Sequence, residues 1–283
     1  MTPQQVAHFH TLGFLQCPQL FSPEEMRALS DAFDAAMSRA RGGAPAPGPG
    51  ERRQQVASFF DLDPEAFYPL LDDERLVSVF ETLMGDDFIL LETEGLLHTE
   101  GSRWHHDARA PTGLFSMRAA IYLDRLGPGD GCLDIIPGSH FLEFGEALTR
   151  TPRDYGDDGF GDRLVDLGVE PEEMPGRHSL RNEPGDVIFM NHKVYHAALT
   201  EKPGRRAIHV NCVQNATPER NREHFDWLTG VLEQSSRARG RLYSDRLIET
   251  AGPRRRRMLA RAIELGYGTG RPPGSPPGRR KEP

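Results

Sequence analysis

Phe88-Ile89-Leu90-Leu91 is where the character of the chain changes. It opens a β-rich region that runs to about Val213. The successive β-type runs are Ile89–His98, Met117–Leu123, Cys132–Ile136, Asp186–Asn191 and Ala207–Val213. Gly/Pro turns separate several of them, at Gly127-Pro128-Gly129-Asp130-Gly131, Pro137-Gly138, Pro184-Gly185 and Pro203-Gly204. Short strands punctuated in this way predict a jelly-roll sandwich or barrel. Between the second and third turns of that series lies Phe141 to Asn182, long, polar and irregular. A loop of that length inside a compact domain is usually functional or disordered, and it reads as an insertion beside the mouth of the barrel.

Outward from this core the pattern is helical on both sides. Thr2-Pro3-Gln4-Gln5 and Ser22-Pro23-Glu24-Glu25 are capping boxes with Pro at the first helical position. Met26, Leu29, Phe33 and Ala36 form one apolar stripe, read as core packing. Gly42 to Gly50 is Gly/Pro-rich and reads as a surface linker. Glu74 to Met84 predicts a helix stopped by Gly85. Beyond Thr217, Glu223 to Gln234 and Arg254 to Leu265 are the clearest helical pieces, and the Arg254–Arg257 run reads as a solvated helix start. The expected organisation is one domain over 1–265, with a β core at about 87–213, a helical part at 218–265 and a disordered Gly/Pro-rich tail over 266–283.

The residues that carry chemistry sit just after the first strand, in Trp104-His105-His106-Asp107. In an extended strand, residues i and i+2 share a face. His105 and Asp107 then point together and His106 turns away. A distal His completes two imidazoles and one carboxylate, a set that binds one face of Fe(II) and leaves the other positions open. The candidate is His196, in Val194-Tyr195-His196-Ala197-Ala198. His192 is its rival, four residues earlier and of the same strand parity. Glu92 and Glu94 step back from His98 on what should be the inward face. They suit a cationic or polyhydroxyl substrate, whereas Arg109 suits an acidic one.

Taken together, these pieces resemble the phytanoyl-CoA dioxygenase family of Fe(II)/2-oxoglutarate oxygenases. The resemblance is carried, in order, by Thr2–Phe14, Trp104–Asp107, Tyr122-Leu123-Asp124, Gly131–His140, Gly185–Phe189, His196 and Arg205-Arg206-Ala207. It implies an α+β fold with a mainly β core, a double-stranded β-helix of jelly-roll type with helices packed outside. It implies His105, Asp107 and His196 as metal ligands and 2-oxoglutarate and O2 as cosubstrates. It also implies an Arg for the far carboxylate of 2-oxoglutarate, Arg205 or Arg206, with the family spacing favouring Arg205. An arginine fork suits that task because it can bind a carboxylate bidentately. Where relatives carry a Ser or Thr two residues after the distal His, this chain has Ala198, which makes His98 a candidate substitute. The halogenating relatives replace the ligand carboxylate with a small residue. Asp107 therefore favours hydroxylation or another oxidative rearrangement, while the polar insertion and acidic balance favour a polar metabolite or natural-product intermediate over a fatty acyl-CoA.

The remaining bounds are coarse. A net charge of −8 and a pI near 5.8 argue against nucleic acid as the main partner. No apolar run approaches the roughly 18 residues of a membrane span. Three scattered Cys and a polar N-terminus suit a cytoplasmic protein with reduced thiols. Oligomeric state is open. The competing class is a jelly-roll metal protein of another chemistry, a Zn hydrolase or cupin-like isomerase, which would also use three protein ligands but has no need of the downstream Arg.

Overall fold

The computed structural model describes residues 1–108, 110–149, 170–200, 202–234 and 242–267. Among the described residues, ten strands form two sheets that face each other. The larger is antiparallel and contains β1 (Phe14–Cys17), β2 (Gln54–Ala57), β3 (Ile89–His98), β5 (Ser116–Tyr122), β8 (Val187–Asn191) and β10 (Arg205–Val213), in the order β1-β8-β5-β10-β3-β2. The smaller contains β4 (Ser102–His105), β6 (Leu133–Ile135), β7 (His178–Leu180) and β9 (His196–Ala198), in the order β4-β9-β6-β7. Neighbours in these sheets come from distant parts of the chain, as a jelly roll requires.

Alternation along each strand sorts the side chains. On β5, Met117, Ala119 and Ile121 join the core between sheet and helices, while Ala120 and Tyr122 face the space between the sheets. On β10, Ile208, Val210 and Cys212 turn outward to the helices, and Ala207 turns inward. The outer layer consists of α1 (Pro3–Leu12), α2 (Pro23–Ala40), α3 (Pro64–Phe67), α4 (Glu74–Met84), α6 (Pro218–Gln234), α7 (Asp245–Glu249) and α8 (Pro253–Glu264); α5 (Leu142–Thr149) follows β6. Phe33, Phe59, Phe67, Phe80 and Phe88 are essentially inaccessible in this layer. Each such ring contributes on the order of 1.5–3 kcal/mol by leaving water.

Helix punctuation follows the sequence closely. Both capping boxes form, with Thr2 and Gln5 satisfying each other's backbone N–H, and likewise Ser22 and Glu25. α4 ends at Met84, where Gly85 adopts a positive φ.

Several expectations change. Residues 54–57, after the Gly/Pro stretch, add β2 to the edge of β3. Phe141–Asn182 is not wholly irregular: it carries α5 and β7, and β7 pairs with β6. Tyr267, assigned to the tail, is buried and its hydroxyl donates to Asp226 at 2.6 Å. The rest of the expected tail, 268–283, lies outside the described residues. Arg254 and Arg257 are not simply solvated: both reach Glu81 on α4, at 3.0 and 3.1 Å, and Arg255 reaches Asp72 at 2.9 Å. The arginine run therefore fastens α8 to the helical layer.

Candidate metal centre and its cavity

Two strand ends and one turn bring the three candidate ligands together. On the small sheet β4 and β9 are antiparallel, and His105 stands directly opposite His196. Cross-strand partners are within side-chain reach, and the two rings lie 4.3 Å apart. Asp107 is not on the strand as expected, because β4 ends at His105. It is placed instead by main-chain bonds: the N–H groups of Asp107 and Ala108 both donate to the His192 carbonyl, at 2.8 and 3.0 Å. The result is still convergence. One ligand atom from each of His105, Asp107 and His196 lies within 4.8 Å of the others. His196 Nε2 is 3.2 Å from Asp107 Oδ2, and His105 Nε2 is 3.9 Å from Oδ1.

The imidazoles are held for ligation. Nδ1 of His105 is bonded to the Arg103 carbonyl at 2.6 Å, and Nδ1 of His196 to the Val194 carbonyl at 2.9 Å. A carbonyl only accepts, so each Nδ1 donates to it and each Nε2 is left on the side of Asp107, where a cation would be ligated. Burial, and then the neighbouring His196, push His105 down to about 4, which keeps it neutral near pH 7. Burial alone would raise the Asp107 carboxyl. The Arg118 guanidinium and His196 outweigh it and hold Asp107 well below the usual carboxylate range. Two imidazole nitrogens and one carboxylate suit a divalent cation.

The triad opens into a cavity of about 1740 Å³. Arg205 lines it and is only 4% exposed. Its guanidinium donates to the carbonyls of Gly131 and Glu100, at 2.6 and 2.9 Å. Its Nε has no hydrogen-bond partner among the described residues. No carboxylate pairs with it there, and burial pulls its pKa below the usual value. Arg206, one residue on, faces away. It pairs with Asp124 at 2.7 Å and Asp34 at 2.8 Å, tying β10 to α2. Of the two arginines, only Arg205 reaches the cavity. His98 stands opposite Arg205 in register, lines the cavity, and is pushed down to about 2 by burial and then by Arg205.

The rival ligand His192 lies in the turn between β8 and β9, where strand parity does not carry through. It is buried, bonded to Ser116 Oγ at 3.0 Å and to Asn211 Oδ1 at 3.2 Å, and stands outside the triad. His106 turns away as expected and meets Tyr195 edge-on at 5.0 Å. Arg109 lies outside the described residues.

Sequence reading passed over three groups. The first is Arg118, on the inward side of β5, whose guanidinium donates to Asp107. The second is the pair of partners around Glu94, itself expected on the inward face: Asn211 donates to Glu94 at 3.1 Å, and His209 lies between Arg118 and Glu94. The inward parity of β5 and β10 was the available signal, had the pairing been known. The third is the α6 wall, where His224 and Trp227 line the cavity. His224 is 3% exposed and bonded to Thr112, and its Nε2 has no partner among the described residues. The Gly/Pro stretch reaches the cavity as well, through Pro49 and Gly50.

Comparison with known proteins follows the same lines. The family model described as phytanoyl-CoA dioxygenase (PhyH) matches residues 9–207. No curated protein matches the sequence. Among solved structures, the chain is similar to SnoK, a non-heme alpha-ketoglutarate-dependent carbocyclase from nogalamycin biosynthesis. The TM-score is 0.56 at 20% identity, covering 76% of this chain and 84% of that one. It is also similar to HygX from Streptomyces hygroscopicus, solved with nickel, 2-oxoglutarate and hygromycin B. There the TM-score is 0.54 at 21% identity, covering 76% and 88%. A third is EvdO2 from Micromonospora carbonacea var. aurantiaca, complexed with 2-oxoglutarate, at TM-score 0.53 and 19% identity, covering 76% and 91%. At these identities the likeness establishes the double-stranded β-helix fold.

Proposed function

Since this chain belongs to the phytanoyl-CoA dioxygenase family of Fe(II)/2-oxoglutarate-dependent oxygenases, we propose that it oxidises a C–H bond of a small polar molecule, with His105, Asp107 and His196 as its metal ligands. The observation that carries this reading is the convergence of those three side chains on a cavity that also holds the buried Arg205, which no carboxylate meets among the described residues. A Zn hydrolase or isomerase would have no use for a buried arginine without an anion, since such a cation is costly unless paired.

Each residue then has a task. His105 and His196 offer Nε2 because their Nδ1 protons are held by carbonyls. Asp107 contributes the negative charge. Arg205 receives the far carboxylate of 2-oxoglutarate, a charge-assisted contact that also satisfies its free Nε–H. His98 packs beside Arg205 as a neutral imidazole. When bound, iron supplies the activation of O2 coupled to conversion of 2-oxoglutarate to succinate and CO2. Substrate meets the rest of the lining, which includes Glu92, Gln55, His224 and Trp227. So polar a wall suits a hydroxylated molecule better than a long acyl chain. HygX, a structural neighbour, has been crystallised with hygromycin B.

The test is succinate release from 2-oxoglutarate by iron-loaded protein. Wild type should turn over slowly without substrate and faster with the right one. His196→Ala should abolish the activity, while His192→Ala should retain much of it. The reverse order would move the distal ligand to His192.

A further inference from the structure

Arg118 is absorbed neither by the ligand set nor by the far-carboxylate site. It lies on the inward side of β5, between Met117 and Ala119, which both belong to the helix-side core. Its side chain is 13% exposed and lines the cavity. One arm donates to Asp107 Oδ2. The other lies 3.2 Å from His209 Nδ1. Its buried Nε has no hydrogen-bond partner among the described residues. A guanidinium offers five N–H donors and accepts nothing, so this one is left with capacity to spare beside the triad.

We propose that Arg118 binds the carboxylate next to the keto group of 2-oxoglutarate, so that the cosubstrate lies between two arginines, Arg118 at the metal end and Arg205 at the far end. This rests on the metal-ligand reading above. The electrostatics favour it. A divalent metal and Arg118 together bring three positive charges to a corner where Asp107 supplies one negative charge. Glu94 is set back behind His209, 3.8 Å from that ring. A second carboxylate at the metal end lowers this excess of positive charge, and a planar fork is suited to it. Location favours it too. Arg118 shares Asp107 Oδ2 with His196, so an anion coordinated beside Asp107 arrives within reach of the guanidinium.

The two arginines can be told apart by ligand. 2-Oxobutyrate keeps the 2-oxo acid head of 2-oxoglutarate and lacks its far carboxylate. Wild type, Arg118→Met, Arg118→Lys and Arg205→Met would be loaded anaerobically with saturating Fe(II). Each 2-oxo acid would then be titrated by the visible charge-transfer absorption. Mn(II) affinity would be measured separately without any 2-oxo acid. Arg118→Met should weaken both 2-oxo acids by a similar factor, about 10- to 100-fold. Arg118→Lys should fold and lose less, because it keeps the charge and loses the fork. Arg205→Met should weaken 2-oxoglutarate and leave 2-oxobutyrate within about twofold.

Three outcomes would overturn the proposal. Unchanged 2-oxo acid affinities with altered Mn(II) affinity would make Arg118 a holder of Asp107 or a competitor of the metal. A loss confined to 2-oxoglutarate would place Arg118 at the far end. A wild-type protein that binds iron yet shows no absorption with either acid would overturn the cosubstrate reading itself, and this proposal with it.

Discussion

At the scale of single residues, the site separates side chains that sequence leaves side by side. Arg205 and Arg206 are adjacent, and strand alternation gives them opposite tasks. Arg205→Ala should raise the 2-oxoglutarate requirement by about 10- to 150-fold, the range for one lost charge-assisted contact. Arg206→Ala should leave that requirement nearly unchanged and instead cost about 1 kcal/mol of stability, since its ion pairs with Asp124 and Asp34 are partly exposed. Steady-state kinetics with varied 2-oxoglutarate and a urea titration of both variants check the pair. Equal kinetic effects would contradict the assignment.

At the scale of elements, the site depends on backbones that approach too closely for a side chain. Gly101 precedes β4, and a Cβ there would fall 2.2 Å from the Ala198 carbonyl oxygen on β9. Gly101→Ala should push the two strands apart at the Ser102–Ala198 end of the pairing that also sets His105 against His196, so metal affinity and stability should fall together. Gly131 has φ +84°, and a Cβ would lie 2.7 Å from Arg205 Nε. Gly131→Ala should weaken 2-oxoglutarate while metal binding stays intact. Isothermal titration with Mn(II), then with 2-oxoglutarate, distinguishes the two; matching profiles for both variants would show that neither glycine acts as described.

The same elements show what sequence made legible. Long strands such as β3 and helices with capping boxes announce themselves, because alternation and caps are local. β4, β7 and β9 are three or four residues long and carry too little pattern to be seen. His105 and Asp107 were found through a strand rule, yet Asp107 is set by hydrogen bonds to the His192 carbonyl, a contact across 85 residues that no local pattern records. Arg118 and His224 were missed for a related reason. Their place in the cavity depends on which strand or helix lies opposite.

At the scale of the molecule, burial keeps His192 and His224 neutral. Burial pushes His192 down to about 3 and His224 to about 4. Their unfolded value is about 6.5. Below that pH the unfolded chain takes up protons that the folded chain refuses, so stability falls as pH falls. Each such histidine contributes a slope of about 1.4 kcal/mol per pH unit. Urea midpoints should therefore drop between pH 7.5 and 5.5, and His224→Gln should flatten the drop. A midpoint that holds steady over this range would contradict neutral burial.

The central claim is that His105, Asp107 and His196 hold a metal on which 2-oxoglutarate chelates. Anaerobic titration of purified protein with Fe(II) and 2-oxoglutarate, followed by visible absorption, tests it directly. A weak charge-transfer band should appear only when both are present, and His196→Ala should lack it. Folded, iron-loaded wild-type protein that shows no band would contradict the claim, and a metal protein of non-oxygenase type would then be the better reading.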